Sequence, residues 1–236
     1  MNYLKFGNSS DFIVFLHGWG ANKNSFIWLK DNFSDKSLIF VDFPGFGDSP
    51  EPENPYYVSD YVKILKEILD NYEIKCLILV GHSFGGRVAI KFSFLYQNEY
   101  EKFKVCLVDS AGILPKRGIK FYYNYHKFKF YKKFFPNSKK IKNFGSSDYR
   151  KLSNIMKQTF IRIVNEDLSF YAKHINAKTL IIWGKKDKET KLYMAKKLKK
   201  LIKNSKLVVF KDAGHFSYLD KPLDFTLLLD SFIKDV

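Results

Sequence analysis

The feature that most constrains this chain is a junction. Cys76-Leu77-Ile78-Leu79-Val80 is a continuous apolar run, and it passes without a spacer into Gly81-His82-Ser83-Phe84-Gly85-Gly86. Such a run reads as a strand buried on both faces, the kind found in parallel sheets. The segment that follows, residues 87–96, reads as a helix opening near Phe84. A strand that turns into a helix within a few residues holds the corner residue in a strained backbone conformation. Here that residue is Ser83, whose hydroxyl then projects from the sheet edge. Glycines at 81 and 85 suit the corner because side chains there would strike the strand and the helix. The pattern G-x-S-x-G alone arises by chance; between a strand and a helix it is far more specific.

The rest of the chain repeats the same alternation. Buried strands are expected at residues 12–16, 37–42, 103–108, 179–183 and 207–210. Helices are expected at 24–33, from an N-cap at Ser59 onward, at 191–202 and at 222–233, the last with Pro222 in its first turn. Strands alternating with helices mean a mostly parallel sheet covered on both faces, an α/β fold. One stretch breaks the rhythm. From about residue 115 to 174 lysines and aromatics interleave without a buried strand, as in Phe121-Tyr122-Tyr123 and Phe128-Lys129-Phe130-Tyr131. The expected organisation is a core of 1–114 and 176–236, with a helical insertion at 115–175 lying over the carboxyl edge of the sheet.

A serine hydroxyl is a weak nucleophile at neutral pH and needs a base. His215 sits in Asp212-Ala213-Gly214-His215-Phe216, between the last strand and the last helix. That places it at the carboxyl edge, where open α/β sheets bind ligands. His82 should point away from Ser83, and His17 should brace its own loop. An acid must then hold the imidazole in one tautomer. Asp187 in Trp183-Gly184-Lys185-Lys186-Asp187 is the first candidate, and Asp109, which also leaves a strand at this edge, is the rival. Acyl transfer needs two donors on its oxyanion. The amides of Phe84 and of Trp19, flanked by Gly18 and Gly20, are the expected pair; a glycine-rich turn without a ligand role is the bland reading of the latter.

Composition bounds the alternatives. The 236 residues carry a formal net charge of +16, but the basic residues are mostly lysine, with arginine only at 87, 117, 150 and 162. A reader of nucleic acid more often relies on arginine, so no nucleic-acid partner is expected. No apolar run reaches the roughly 20 residues that span a bilayer, and the first residues lack signal-peptide order. Cys76 and Cys106, both in apolar runs, read as buried free thiols. A cytoplasmic location is the expectation. No metal motif, dinucleotide fingerprint or phosphate-binding loop pattern occurs, so neither metal nor cofactor is expected.

Five blocks in order resemble the signature blocks of the α/β-hydrolase superfamily. They are His17-Gly18-Trp19-Gly20, the run from Asp42 to Ser49 through Pro44-Gly45-Phe46-Gly47, Gly81 to Gly86, Trp183 to Asp187, and Ala213-Gly214-His215-Phe216. The resemblance spans nearly all of the chain outside the insertion. It implies a Ser83–His215–Asp187 triad, no cofactor, and a lid inserted after the strand ending near Asp109. Serine at 83 separates the chain from the dehalogenases and epoxide hydrolases of that superfamily, which carry aspartate there. The short N-terminus departs from the family pattern, so its leading antiparallel strands are expected to be reduced or missing.

The function these features imply is hydrolysis of a carboxylic ester of a small or acyl-chain substrate through an acyl-enzyme. C–C bond or thioester hydrolysis, or methyl-ester cleavage on a carrier-bound acyl chain, remains open on the same residues. So does a non-catalytic small-molecule receptor. The insertion is read as a lid whose aromatics cover the site and whose lysines face water. An anionic substrate, an acidic acyl carrier or a membrane surface are the other partners its charge suits.

Overall fold

The computed structural model describes residues 1–116, 118–135 and 147–235. Its sheet contains β1 (Asn2–Phe6), β2 (Asp11–Leu16), β3 (Ser37–Asp42), β4 (Cys76–His82), β5 (Lys102–Val108), β6 (Lys178–Gly184) and β7 (Ser205–Phe210). The spatial order is β1-β3-β2-β4-β5-β6-β7. Neighbours run parallel except β1, which pairs antiparallel with β3. This is the α/β-hydrolase fold, a mostly parallel sheet with helices on both faces.

The uninterrupted apolar runs have a plain cause. Alternate residues of the inner strands enter different cores. Phe12, Val14, Leu77 and Leu79 pack beneath α1 (Val58–Leu69), α2 (Phe84–Tyr96) and α7 (Leu192–Leu201). Ile13, Phe15, Ile78 and Val80 pack against the 3₁₀ segment Lys23–Phe33, α8 (Ser217–Asp220) and α9 (Pro222–Lys234). Both faces are covered, so neither set of alternating positions is polar.

Three local expectations change. An antiparallel leading strand is present: β1 pairs Asn2 with Asp42 through Phe6 with Leu38. It lies at the sheet edge, with residues exposed or half-buried, which is why it lacks an apolar run. The first α-helix is not capped by Ser59. Its N-cap is Tyr57, whose amide donates to the Asp60 carboxylate at 2.6 Å, while the Ser59 hydroxyl lies 3.2 Å from Lys91 Nζ. Of the two free thiols, Cys106 is buried, but Cys76 at the start of β4 is only half-buried.

Between β5 and β6 lie α3 (Ile119–Phe134), α4 (Ser147–Lys151), α5 (Asn154–Asn165) and α6 (Ser169–Lys173). Arg117, Lys139, Lys140 and Lys142 of the basic stretch fall outside the described residues. Helix α5 docks on the loops after β3. Met156 is buried over Gly45, the Tyr56 amide donates to Thr159 Oγ1 at 3.0 Å, and Arg162 donates to the Pro55 carbonyl while stacking on Tyr57. The chain after α5 is pinned to α2. Arg87 donates to the Glu166 carbonyl at 2.8 Å, and Lys91 pairs with the Glu166 carboxylate at 2.6 Å. Among the described residues no helix is long and apolar enough to cross a membrane.

Lys91 and Glu166 are both largely withdrawn from water. Removing the cation strands a desolvated carboxylate. Lys91→Met is expected to lower unfolding free energy in urea by about 1–3 kcal/mol, and Lys91→Met combined with Glu166→Gln by less. A double variant more damaged than the single one contradicts this pairing.

Candidate active site

The site grows from the corner between β4 and α2. Ser83 has φ 49° and ψ −107°, a conformation that non-glycine residues rarely adopt. Backbone bonds hold it there. The Ser83 amide donates to Val108 O at 3.0 Å, and its carbonyl accepts from Gly86 at 3.1 Å and Ala111 at 3.0 Å. A Cβ at Gly85 would lie 2.1 Å from the Leu16 carbonyl oxygen, so the helix can start this close to β2 only with glycine at that position. The elevated strain at Ser83 is thus imposed by packing on three sides.

Parallel register carries the other groups to the same edge. His82 is paired with Val108, Val108 with Ile182, and Gly184 with Phe210. The chain leaves these strands at Ser83, Asp109, Lys185 and Lys211, side by side. His215 Nε2 lies 3.1 Å from Ser83 Oγ, and His215 Nδ1 lies 2.9 Å from Asp187 Oδ2. The three residues singled out in separate parts of the sequence therefore form one hydrogen-bonded chain.

Asp187 is nearly buried and well supplied with donors. Its Oδ1 accepts from the amides of Glu189 at 2.8 Å and Thr190 at 2.9 Å. The Thr190 hydroxyl lies 2.6 Å from Asp187 Oδ2, 3.0 Å from the Asp109 carbonyl and 3.3 Å from His215 Nδ1. It has one proton to give among these acceptors. Burial raises the Asp187 pKa, but hydrogen bonds from His215 and Thr190 outweigh it and hold the carboxyl below its ordinary range. The same contest runs the other way at His215. Burial lowers its pKa, and the bond and charge of Asp187, with Asp109 and Glu189 beyond, bring it above the usual imidazole value.

Asp109 occupies a different place from the one its rivalry with Asp187 suggested. It has φ 43° and is fully buried. Its Oδ1 accepts from the Gly184 amide at 2.7 Å and its Oδ2 from the Ser217 amide at 3.1 Å. It thus ties the end of β6, three residues before Asp187, to the segment two residues beyond His215. Burial pushes its pKa up to about 7, and the nearby Asp187 charge adds to this. Neither its tie nor the Thr190 contact was read from the sequence. No local pattern marks them, because both depend on how β5, β6 and the His215 loop come together.

Two further histidines fix backbone. His82 points away from Ser83: its Nε2 donates to the His215 carbonyl at 2.8 Å, and burial pushes its pKa down to about 3. The Gly214 amide donates to Asp220 at 2.7 Å, so the His215 loop is held on both sides. His17 braces its own loop. Nδ1 donates to Gly18 O at 2.7 Å, Nε2 accepts from the Phe43 amide at 3.1 Å, and burial lowers its pKa to about 4. It is neutral, as a ring facing an N–H donor must be.

The loop beyond His17 passes directly against the corner. A Cβ at Gly18 would sit 2.8 Å from His82 Nδ1 and 3.4 Å from Ser83 Cβ. The next residue, Trp19, has its ring 5.5 Å from that of Phe84, 4.8 Å from Phe46 and 5.1 Å from Phe160 of α5. An aromatic cluster, part core and part insertion, therefore surrounds Trp19, one residue beyond the Gly18 that meets the corner. Phe160 was not singled out in the sequence. Elsewhere the insertion differs from expectation, since Tyr123, Phe130, Phe134 and Phe135 turn outward and are more than half exposed. Among the described residues no group of three or more His, Cys, Asp or Glu side chains is arranged to hold a metal ion.

Known proteins match this chain over most of its length. It is 27% identical over 240 residues to Lipase 1 of Psychrobacter immobilis, covering 91% of this chain and 74% of that protein. It is 28% identical to the pimeloyl-[acyl-carrier protein] methyl ester esterase of Wigglesworthia glossinidia brevipalpis, covering 97% and 95%. The structure superposes on an esterase of Exiguobacterium antarcticum with a TM-score of 0.77 at 25% identity, covering 98% and 94%. The model of the alpha/beta hydrolase family matches residues 13–227. With that match added to the fold, the chain belongs to the α/β-hydrolase family.

Proposed function

We propose that the protein is a serine esterase in which Ser83 is the nucleophile, His215 its base and Asp187 the acid that orients the base. The observation that carries this reading is the unbroken chain from Ser83 Oγ through both nitrogens of His215 to a buried carboxylate. His215 takes the Ser83 proton as the hydroxyl attacks an ester carbonyl, and returns it to the leaving alcohol. Water activated by the same imidazole then hydrolyses the acyl-enzyme. The amides of Trp19 and Phe84 donate to the oxyanion, helped by the positive end of α2. The insertion acts as a cap, with Phe160 and Trp19 forming an apolar wall for the acyl group. The named activities of the lipase and esterase relatives agree with this chemistry.

Asp109 has a positioning role in this scheme. Its carboxylate oxygens are both engaged by backbone amides, whereas Asp187 faces Nδ1 of the imidazole directly. Asp109 thus sets where the acid and base loops stand, and Asp187 sets the tautomer.

A panel of p-nitrophenyl esters of increasing chain length tests the reading. The native chain is expected to hydrolyse at least the short esters, and Ser83→Ala is expected to fall to the background rate. Equal rates for the two rule out Ser83 as nucleophile.

The acid assignment has its own test. His215 must be neutral to accept a proton, so kcat/KM falls as pH drops through its pKa. That midpoint is expected above the ordinary value of about 6.5, because Asp187 holds the pKa up. Asp187→Asn is expected to cost about 10⁴-fold in turnover, the scale of losing the correct tautomer, and to move the midpoint to lower pH. Asp109→Asn is expected to lower the melting temperature with a much smaller loss of turnover. The reverse ranking would make Asp109 the acid.

A further inference from the structure

Helix α3 is the part of the fold that the catalytic scheme leaves unused. Its sequence, IKFYYNYHKFKFYKKF, contains five lysines, one histidine and no acid. The described side chains show how they are disposed. Tyr123, Lys127, Phe130 and Phe134 follow one another at intervals of four, three and four residues, which puts them on a single face of the helix. That face is turned to solvent: Tyr123 is 65% exposed, Phe130 54% and Phe134 57%, and Phe135 just beyond the helix is 54% exposed. Phe130 packs against Phe134 with centroids 4.9 Å apart and lies 6.3 Å from Phe135, and Tyr123 extends this aromatic ridge about two turns toward the start of the helix. Cations sit along it. Lys127 Nζ lies 5.9 Å from the Tyr123 ring and Lys133 Nζ 5.4 Å from the Phe134 ring.

A ridge of this kind is costly to leave in water, since exposed apolar patches normally mark an interaction site. We propose that the outward face of α3 is a docking surface for an anionic phospholipid bilayer. Two features select this occupant. The first is charge: the helix carries five lysines and no acid, as a negatively charged lipid surface requires. The second is shape. From Tyr123 to Phe134 the rings run along about 16 Å of a convex helix, and a folded protein partner must offer a matching groove along that whole length. A headgroup layer deforms to receive the rings. Aromatic side chains favour the interfacial depth, and lysine stems lie along it with their ammonium groups at the phosphates. An acidic carrier protein satisfies the charges but supplies no reason for the lysines to be interleaved with outward-facing rings.

The test is co-sedimentation of the full chain with two kinds of vesicle, one of pure phosphatidylcholine and one of equal parts phosphatidylcholine and phosphatidylglycerol. The chain is expected to sediment with the second and not the first, less so as salt is raised. Phe130→Ser combined with Phe134→Ser leaves the net charge unchanged and is expected to weaken partitioning by about tenfold or more. Lys197→Glu combined with Lys200→Glu, on exposed positions of α7, reverses charge away from the ridge and is expected to have the smaller effect. Thermal melting of each variant at the native temperature separates lost docking from lost folding. A ridge variant that melts early is replaced by Lys127→Glu, for which the same loss is expected. The proposal is overturned by absence of binding to both vesicles. It is also overturned if the α7 variant loses as much binding as the ridge variants, which means attraction by overall charge. Binding of an acidic acyl carrier protein through Phe130 and Phe134, with no binding to vesicles, overturns it in favour of a protein partner.

Discussion

Everything at the carboxyl edge depends on the turn at Ser83. A positive-φ serine is held there by a hydrogen bond from its amide to the end of β5 and by α2 starting hard against the Leu16 carbonyl. The turn does two things at once. It brings the hydroxyl within 3.1 Å of His215 Nε2, and it sets the start of α2 and the Gly18 loop close around the same residue. A serine on a freely moving loop would hold none of these relations between encounters; here folding has already established them.

The remaining groups are brought in by strand register and then tied down by buried polar contacts. Asp109 joins the ends of β6 and the His215 loop through two backbone amides. His82 holds the His215 carbonyl, and Asp220 holds the Gly214 amide. The buried ionisable groups differ in state because their surroundings differ. Asp187 has amide, hydroxyl and imidazole donors and stays ionised, whereas Asp109, more deeply enclosed, is pushed up to about 7. Two carboxyl groups near one imidazole thus stand in separate settings, one facing the ring and one facing backbone amides.

Much of this is legible in the sequence. The parallel strands were legible because burial on both faces leaves uninterrupted apolar runs, and the Ser83 corner because glycine is required where backbone meets backbone. The places where reading failed share a cause. β1 sits at an exposed edge and has no apolar signature. The cap of the first helix turned on Asp60 accepting from the Tyr57 amide, which displaced Ser59 to a contact with Lys91. Thr190 and Phe160 owe their positions beside His215 and Trp19 to tertiary packing, so spacing along the chain says nothing of them. The aromatics of α3 defeated periodicity as well, because they recur in the sequence at nearly every spacing, and only the fold decides that Tyr123, Phe130 and Phe134 face water.

The central claim is that Ser83 Oγ is the atom that becomes acylated, activated by His215. The most direct measurement is peptide mapping by mass spectrometry after brief exposure to a fluorophosphonate. The account predicts one adduct, on the peptide that contains Ser83, and its disappearance in His215→Ala while the protein remains folded. An adduct on any other residue, or undiminished modification of Ser83 without the imidazole, contradicts it.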